Sequence, residues 1–521
     1  MKRQMIISIL LGILSLTSQA VFAQISEGGT PISFSLDIDT RKEKIPVMEM
    51  PAVDAKALLE EDKKLRMKNP QRPFRFGYAI DVDIDIKKAG IKKELPDGGN
   101  LWLLKIHCPD AFSINLIYSH FILGKGSKFF IYNEDRAMIL GAFTPEVSNN
   151  PDNKFATDLL QGNTIILEYY EPVSSDDGSI HIGKVIHGYQ NTFTRDGLGI
   201  SASCNVDVMC TLGNNWINER HAVVLILVDN NTTWCSGCLV NNTQKDFKPY
   251  ILTARHCYYE NNGNTPNDIT PATNIFRFRY WRPDCGSGFP PPTNFSITGA
   301  TLRAHDATTD FALLELSAIP PANFNAYYAG WDRSTTPAQN ATGIHHPKGD
   351  AMKISYEQHP VFAHPNPNGS SVILSTWKVG HFENGTTQDG SSGSPLFNQN
   401  HRIVGQLSTV PDCEGDNTCA CNYPYSNYGR FDMSWTGGGT SSTRLRDWLD
   451  PSNTVSVLDG CASTTFTDRT VTTNQTVVGC TNLNVQNVTV TSNAKLTLDA
   501  PGSVIITSDF KVVLGSELKI K

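Results

Sequence analysis

Three short segments hold the residue types that nucleophilic acyl chemistry requires. They are Leu252-Thr253-Ala254-Arg255-His256-Cys257, Thr309-Asp310-Phe311-Ala312-Leu313-Leu314-Glu315-Leu316 and Gly390-Ser391-Ser392-Gly393-Ser394-Pro395. An alcohol is a poor nucleophile at neutral pH, so a serine needs an imidazole to take its proton, and the imidazole needs a carboxylate to hold its tautomer. In the order His, Asp, Ser the segments supply one of each. The backbone N–H groups of Gly390 and Ser392 are candidate donors to a developing oxyanion, and a glycine lets the chain approach a substrate closely. An α/β-hydrolase elbow is excluded, because it needs Gly-x-Ser-x-Gly and a histidine well downstream. Here the final position is Ser394 and the only later histidine is His401.

Around these segments, short apolar stretches alternate with Asn, Gly and Pro clusters, the pattern of an all-β barrel or sandwich. Toward the end of that region, Ser442 to Leu449 reads as a capped terminal helix. Upstream, Ala55, Leu58, Leu59 and Leu65 fall near helical spacing, and alternating stretches such as Tyr78 to Ile86 follow. That upstream part is expected to be β-rich. It has one cysteine, Cys108, and no cluster of catalytic residue types. The polar, Gly-rich run Thr194 to Gly199 marks its end. After Cys461 the composition shifts to Thr, Asn and Val, with apolar pairs starting at Val488, Leu496, Val504 and Val512, a period of eight. Either a stack of β rungs or an antiparallel meander fits, and alternation does not separate them.

The N-terminus has Lys2 and Arg3, an apolar run from Met5 to Leu16, and Val21-Phe22-Ala23, which read as a signal peptide cleaved after Ala23. The run is shorter than the roughly 20 apolar residues that span a bilayer. No later stretch is long and apolar enough to cross one. The expected organisation is a signal peptide over 1–23, a β-rich pro-domain over 24–198, the catalytic region over 199–462 and a small repetitive β module over 463–521. With a net charge of -7 and no basic block, nothing invites nucleic acid. Nine of the twelve cysteines lie between Cys204 and Cys421, and export favours their pairing. Cys235-Ser236-Gly237-Cys238 has zinc-ribbon spacing, but Cys413, Cys419 and Cys421 do not repeat it, so no metal or cofactor is expected.

Over roughly Gly199 to Asp459 the sequence resembles the trypsin-like serine peptidases, and in particular the bacterial lysyl endopeptidases. Beyond the three segments, the resemblance rests on Gly199-Ile200-Ser201-Ala202-Ser203-Cys204-Asn205, Cys238-Leu239-Val240-Asn241-Asn242, Ala329-Gly330-Trp331-Asp332-Arg333 and Ile344-His345-His346-Pro347. It continues through Val404-Gly405-Gln406-Leu407, Tyr428-Gly429-Arg430, Ser434 to Gly439 and Asp447-Trp448-Leu449-Asp450-Pro451. It implies two packed antiparallel β-barrels, with His256 as general base and acid, Asp310 as its orienter and Ser392 as nucleophile. It also implies Cys235 paired with Cys257, Cys210 with Cys285, and Cys204 with one of Cys413, Cys419 or Cys421.

Two departures bear on specificity. Lysine-selective members carry an Asp two residues before the Tyr of Tyr-Gly-Arg, where this chain has Ser426. They carry a His after Gln-Leu, where this chain has Ser408. By resemblance to trypsin-like pockets, Val410 is expected on the pocket wall and Thr386 near its base, leaving the pocket neutral. The reading is a secreted serine endopeptidase, extracellular or at the cell surface, acting on peptide or protein substrates. Its own pro-domain serves as a folding aid or inhibitor. The alternative is a non-catalytic binding or adhesion protein on a protease scaffold.

Overall fold

A computed structural model describes residues 26–36, 44–68, 73–193, 201–259, 271–286, 288–289, 291–292, 294–365, 373–410, 419, 425–462 and 465–521. The expected signal peptide, the run Thr194 to Gly199, Cys413 and Cys421 lie outside them. The architecture is mainly β, as the sequence predicts.

Residues 44–188 build two facing sheets. One runs in the order Val47–Glu49, Asn100–His107, Thr164–Glu171, Lys128–Asn133, Ile139–Phe143. The other runs Leu160–Gln161, Ser113–Ile122, Ser179–Gly188, Gly77–Asp85. Ile106, Leu116, Phe129, Leu167 and Val185 bury between them. The predicted helix is Ala55–Lys68.

Two larger sheets follow. In the first, Val223–Val228, Thr233–Val240, Tyr250–Ala254 and Phe311–Leu316 are successive neighbours, and nearly every residue of these strands is buried. That is why they read as continuous apolar runs rather than alternating ones. In the second, Ala341–His345, Pro395–Asn398, Ile403–Thr409 and Ser426–Arg430 are successive neighbours. Residues of both sheets and of the last strands share one core.

The upstream part is stitched onto the first of these sheets. Phe74–Arg75 adds as an antiparallel strand to Thr233 and Trp234. Phe76 stacks on Trp234 at 4.4 Å between ring centroids. Beside them Arg277 forms a buried ion pair with Asp158, its Nε 2.7 Å from Oδ2. A buried pair is costly to break, because the partner left behind is an uncompensated charge.

After Cys461 the strands pair in parallel. Leu483 lies beside Val504, Val488 beside Phe510, and Leu496 beside Leu518. These are stacked rungs, not a meander; the steps of eight from Val488 to Leu496 and from Leu496 to Val504 pass between the two sheets of the stack, whereas Val504 and Val512 lie in the same sheet. The capped helix expected over Ser442 to Leu449 is only Arg446–Leu449, with Leu445 at its N-cap and no side-chain cap. The Thr443 hydroxyl that could have served an earlier start is bonded to Thr440 instead.

Candidate active site

Strand register brings the histidine and the aspartate together. Tyr250–Ala254 and Phe311–Leu316 pair antiparallel with Ala254 opposite Phe311, so the residues just past one end and just before the other are neighbours. His256 sits in the short turn Arg255–Cys257, and Asp310 immediately precedes Phe311. His256 Nδ1 is 2.6 Å from Asp310 Oδ2, and its backbone N–H donates to Oδ1 at 2.9 Å. A carboxylate on Nδ1 favours the tautomer with its proton there, which leaves the Nε2 lone pair able to accept one. Asp310 has φ 60, in the left-handed region. The backbone N–H of Arg255 donates to its carbonyl at 2.7 Å. The Cys235–Cys257 disulfide fastens the turn to the strand Thr233–Val240.

The segment before Pro395–Asn398 carries the serines, and both large sheets hold it. Ser236 N–H donates to Ser392 O at 2.7 Å, Ser236 Oγ donates to Gly390 O at 2.8 Å, and Gly393 N–H donates to Leu407 O at 2.8 Å. Gly390 has φ +86 and Gly393 φ +84. A Cβ on Gly393 would lie 2.2 Å from Thr253 Oγ1 and 2.4 Å from Ser236 O, so only glycine fits there.

The three serines differ in their partners. Ser391 Oγ is buried against His345 Nδ1 at 2.7 Å and accepts from Gln388 N–H. Ser394 Oγ is buried without a partner among the described residues. Ser392 retains slight exposure, and among the described residues its hydroxyl is not tied up by a hydrogen bond. His256 Nε2 is likewise unpartnered. These are the two atoms that proton transfer from serine to imidazole would join.

The pocket residues separate into two groups. Thr386 is buried, its carbonyl accepting from Ser355 Oγ at 3.3 Å. Next to it, Thr387 Oγ1 and Ser426 Oγ are 2.7 Å apart, both fully buried and both uncharged. Val410 is half-buried against the cluster that contains Trp377 and Tyr428. Ser408 lies instead on the aspartate, donating to Asp310 Oδ2 at 2.8 Å. Sequence reasoning missed that contact. The signal was available in the strand order, since Ser408 follows Leu407, whose backbone anchors Gly393.

Other features were not foreseen. Cys204 pairs with Cys419 and Cys210 with Cys285, within the pairings the resemblance implied, but Cys461–Cys480 was not anticipated. Cys238 is free and buried, and burial pushes its thiol well above the usual range. Arg66, on the helix Ala55–Lys68, forms an ion pair with Asp389, the residue before Gly390. Beside this contact lies a cavity of about 500 Å³, lined by Leu59, Arg66, Phe74, Tyr189 and Lys348 among others.

Residues 198–428 match the family described as lysyl endopeptidase, C-terminal domain. A lysyl endopeptidase of Pseudomonas aeruginosa is 27% identical over 293 residues, which take in 52% of this chain and 60% of that protein. The chain thus covers about three-fifths of that relative's length. Among solved structures, a serine endoprotease from Yersinia pestis aligns at 16% identity and a TM-score of 0.28, over 43% of this chain and 64% of that one. An HtrA-type protease with a tripeptide aligns at 15% identity and a TM-score of 0.30, over 43% and 61%. Scores of this size support no argument. The sequence resemblance over the middle of the chain is therefore borne out by the family match and the Pseudomonas relative.

Proposed function

We propose, from a chain whose residues 198–428 match the lysyl endopeptidase C-terminal domain, that this protein is a serine endopeptidase with His256, Asp310 and Ser392 as its triad. The observation that carries the reading is the register-locked His256–Asp310 pair, with Nε2 left free, next to a serine segment whose neighbouring hydroxyl is already engaged by His345. His256 takes the Ser392 proton as Oγ attacks the scissile carbonyl, and Asp310 stabilises the imidazolium. The oxyanion is received by the N–H groups of Gly390 and Ser392, a contribution worth about a hundredfold to a thousandfold in rate per donor. His256 then protonates the leaving amine, and water hydrolyses the acyl-enzyme by the same relay. Only neutral imidazole accepts the first proton, so activity falls on acidification.

Specificity follows from the neutral Thr387–Ser426 pair. An ammonium group entering there loses hydration without gaining a carboxylate, which supports small or medium apolar P1 residues over lysine. The chain is made as a secreted precursor. The expected signal sequence and the four described disulfides support export. Residues 24–198 act as a folding aid and inhibitor removed at maturation. The added strand Phe74–Arg75, the buried Arg277–Asp158 pair and the Arg66 contact beside the oxyanion glycine support both roles.

The test is a peptide library digested by purified mature enzyme and by Ser392→Ala and Ser391→Ala, with products read by mass spectrometry. Cleavage lost in Ser392→Ala and kept in Ser391→Ala is expected. The reverse pattern refutes the register.

A further inference from the structure

Three arginines from distant parts of the chain meet where the strands after Cys461 lean on the first large sheet. Arg220 lies in the turn Glu219–His221, Arg279 follows the strand Ile275–Phe278, and Arg469 lies in Thr465–Val471. The guanidinium carbons of Arg220 and Arg279 stand 5.5 Å and 5.9 Å from the Trp281 ring centroid. Arg279 Nη1 donates to Asn323 O at 2.9 Å, and Arg469 Nη2 to Asn325 O at 3.5 Å, so those two reach the same turn. The seam there is polar, with Asn218 Nδ2 donating to Thr476 O at 2.9 Å and Thr467 N–H to Asn325 Oδ1 at 3.2 Å.

What this seam lacks, among the described residues, is a carboxylate paired with its arginines. Among the described residues, none of the three arginines forms an ion pair. Asp468, whose charge acts on Arg279, is exposed and accepts instead from Asn487 Nδ2 at 2.8 Å. The Nε atoms of Arg220 and Arg279 are buried with no hydrogen-bond partner. Burial, then mutual repulsion, holds Arg220 down to about 10 and Arg469 down to about 9. A guanidinium does not give up its proton in a protein, so the charges stay and the strain of three like charges persists. Aromatic faces offset part of it, Phe295 lying 4.2 Å from Arg279 and Phe466 4.7 Å from Arg469, yet they leave the Nε of Arg220 and of Arg279 without an acceptor.

We propose that Arg220, Arg279 and Arg469 form a site for a phosphate or sulfate group, which ties the C-terminal strands to the peptidase region. Planar forks from three directions suit a tetrahedral oxyanion, each offering charge-assisted hydrogen bonds. The group is either a free ion or the phosphoryl of a lipid headgroup, and the site is independent of the peptidase reading.

The experiment uses the full chain carrying Ser392→Ala to prevent self-cleavage. Its thermal midpoint is followed in phosphate, in sulfate and in chloride at matched ionic strength. Phosphate or sulfate near a hundred times its Kd raises the midpoint by on the order of 3 °C over chloride. Arg469→Gln abolishes that rise without lowering the midpoint in chloride, since it also relieves repulsion; Arg220→Gln serves if Arg469→Gln does not fold. Sedimentation with phosphatidylglycerol vesicles distinguishes the sources. Retention lost in Arg469→Gln, without a response to free phosphate, assigns the lipid headgroup; a midpoint response without retention assigns the free ion. No response in either arm, or an equal response in the variants, overturns the proposal.

Discussion

Replacing Ser426 by Asp places a carboxylate where the structure has a fully buried hydroxyl 2.7 Å from Thr387 Oγ1. Two unit charges about 4 Å apart interact by about 4 kcal/mol at an effective dielectric constant of 20. Desolvating the ammonium and the new carboxylate returns several kcal/mol of that, so a net gain of about 1–3 kcal/mol for a lysine side chain remains. Each 1.4 kcal/mol is tenfold, so Ser426→Asp is expected to raise the Lys-to-Leu ratio of kcat/KM by about 5- to 150-fold. The variant is also less stable, because without substrate the carboxylate is buried with a single hydroxyl donor from Thr387. The assay compares matched peptides differing only at P1, on purified mature wild type and variant, with Leu turnover as the internal measure of folded enzyme. If the ratio moves less than threefold while Leu turnover persists, Ser426 does not line the P1 pocket. If the wild type already prefers Lys by more than about a thousandfold, a carboxylate elsewhere holds it.

Three further outcomes are expected. Gly393→Ala lowers kcat by more than about a hundredfold, because its Cβ would lie 2.2 Å from Thr253 Oγ1 at a φ of +84 and must displace the serine segment; near-normal kcat would refute that packing. Arg66→Glu sets like charge against Asp389, and the full-length chain is expected to react with a fluorophosphonate about three- to tenfold faster; an unchanged rate means the helix does not guard the site. His345 is buried between Ser391 and Ser355 hydroxyls, and burial, then the charges of His346 and Lys353, holds its pKa at about 3. The unfolded chain binds a proton from about pH 6.5 downward that the folded chain refuses until about pH 3, so acid removes stability across that window by about 1.4 kcal/mol per pH unit. Urea midpoints at pH 7, 5 and 4 should therefore fall less steeply in His345→Gln than in wild type.

The proposed chemistry was legible in the sequence because its residues lie in short local segments. His256, Asp310 and the Gly-Ser-Ser-Gly segment each sit at a strand end, and antiparallel pairing of apolar runs is enough to join the first two. What escaped the sequence depends on register or on distant contact. Ser408 was placed in the pocket from its position after Gln-Leu, whereas its side chain reaches Asp310, on the catalytic side of the same strand. A one-residue difference in facing decides that, and strand patterning in a fully buried sheet does not reveal it. The rungs after Cys461 carry their repeat over 21 or 22 residues in pairs such as Leu483 with Val504 and Leu496 with Leu518, so the shorter spacing of eight could not distinguish parallel from antiparallel pairing. The Arg66–Asp389 contact joins a surface helix to the serine segment and has no local signature.

The central claim is that Ser392 is an activated nucleophile, and covalent labelling reads that state directly. The mature protein is treated with a fluorophosphonate, digested, and the modified residue located by mass spectrometry, with Asp310→Asn in parallel. A single adduct on Ser392, formed at least about a thousandfold more slowly in Asp310→Asn because the imidazole then adopts the wrong tautomer, is predicted. Labelling of Ser391 or Ser394 in its place, or no adduct on a folded mature protein, would contradict the account.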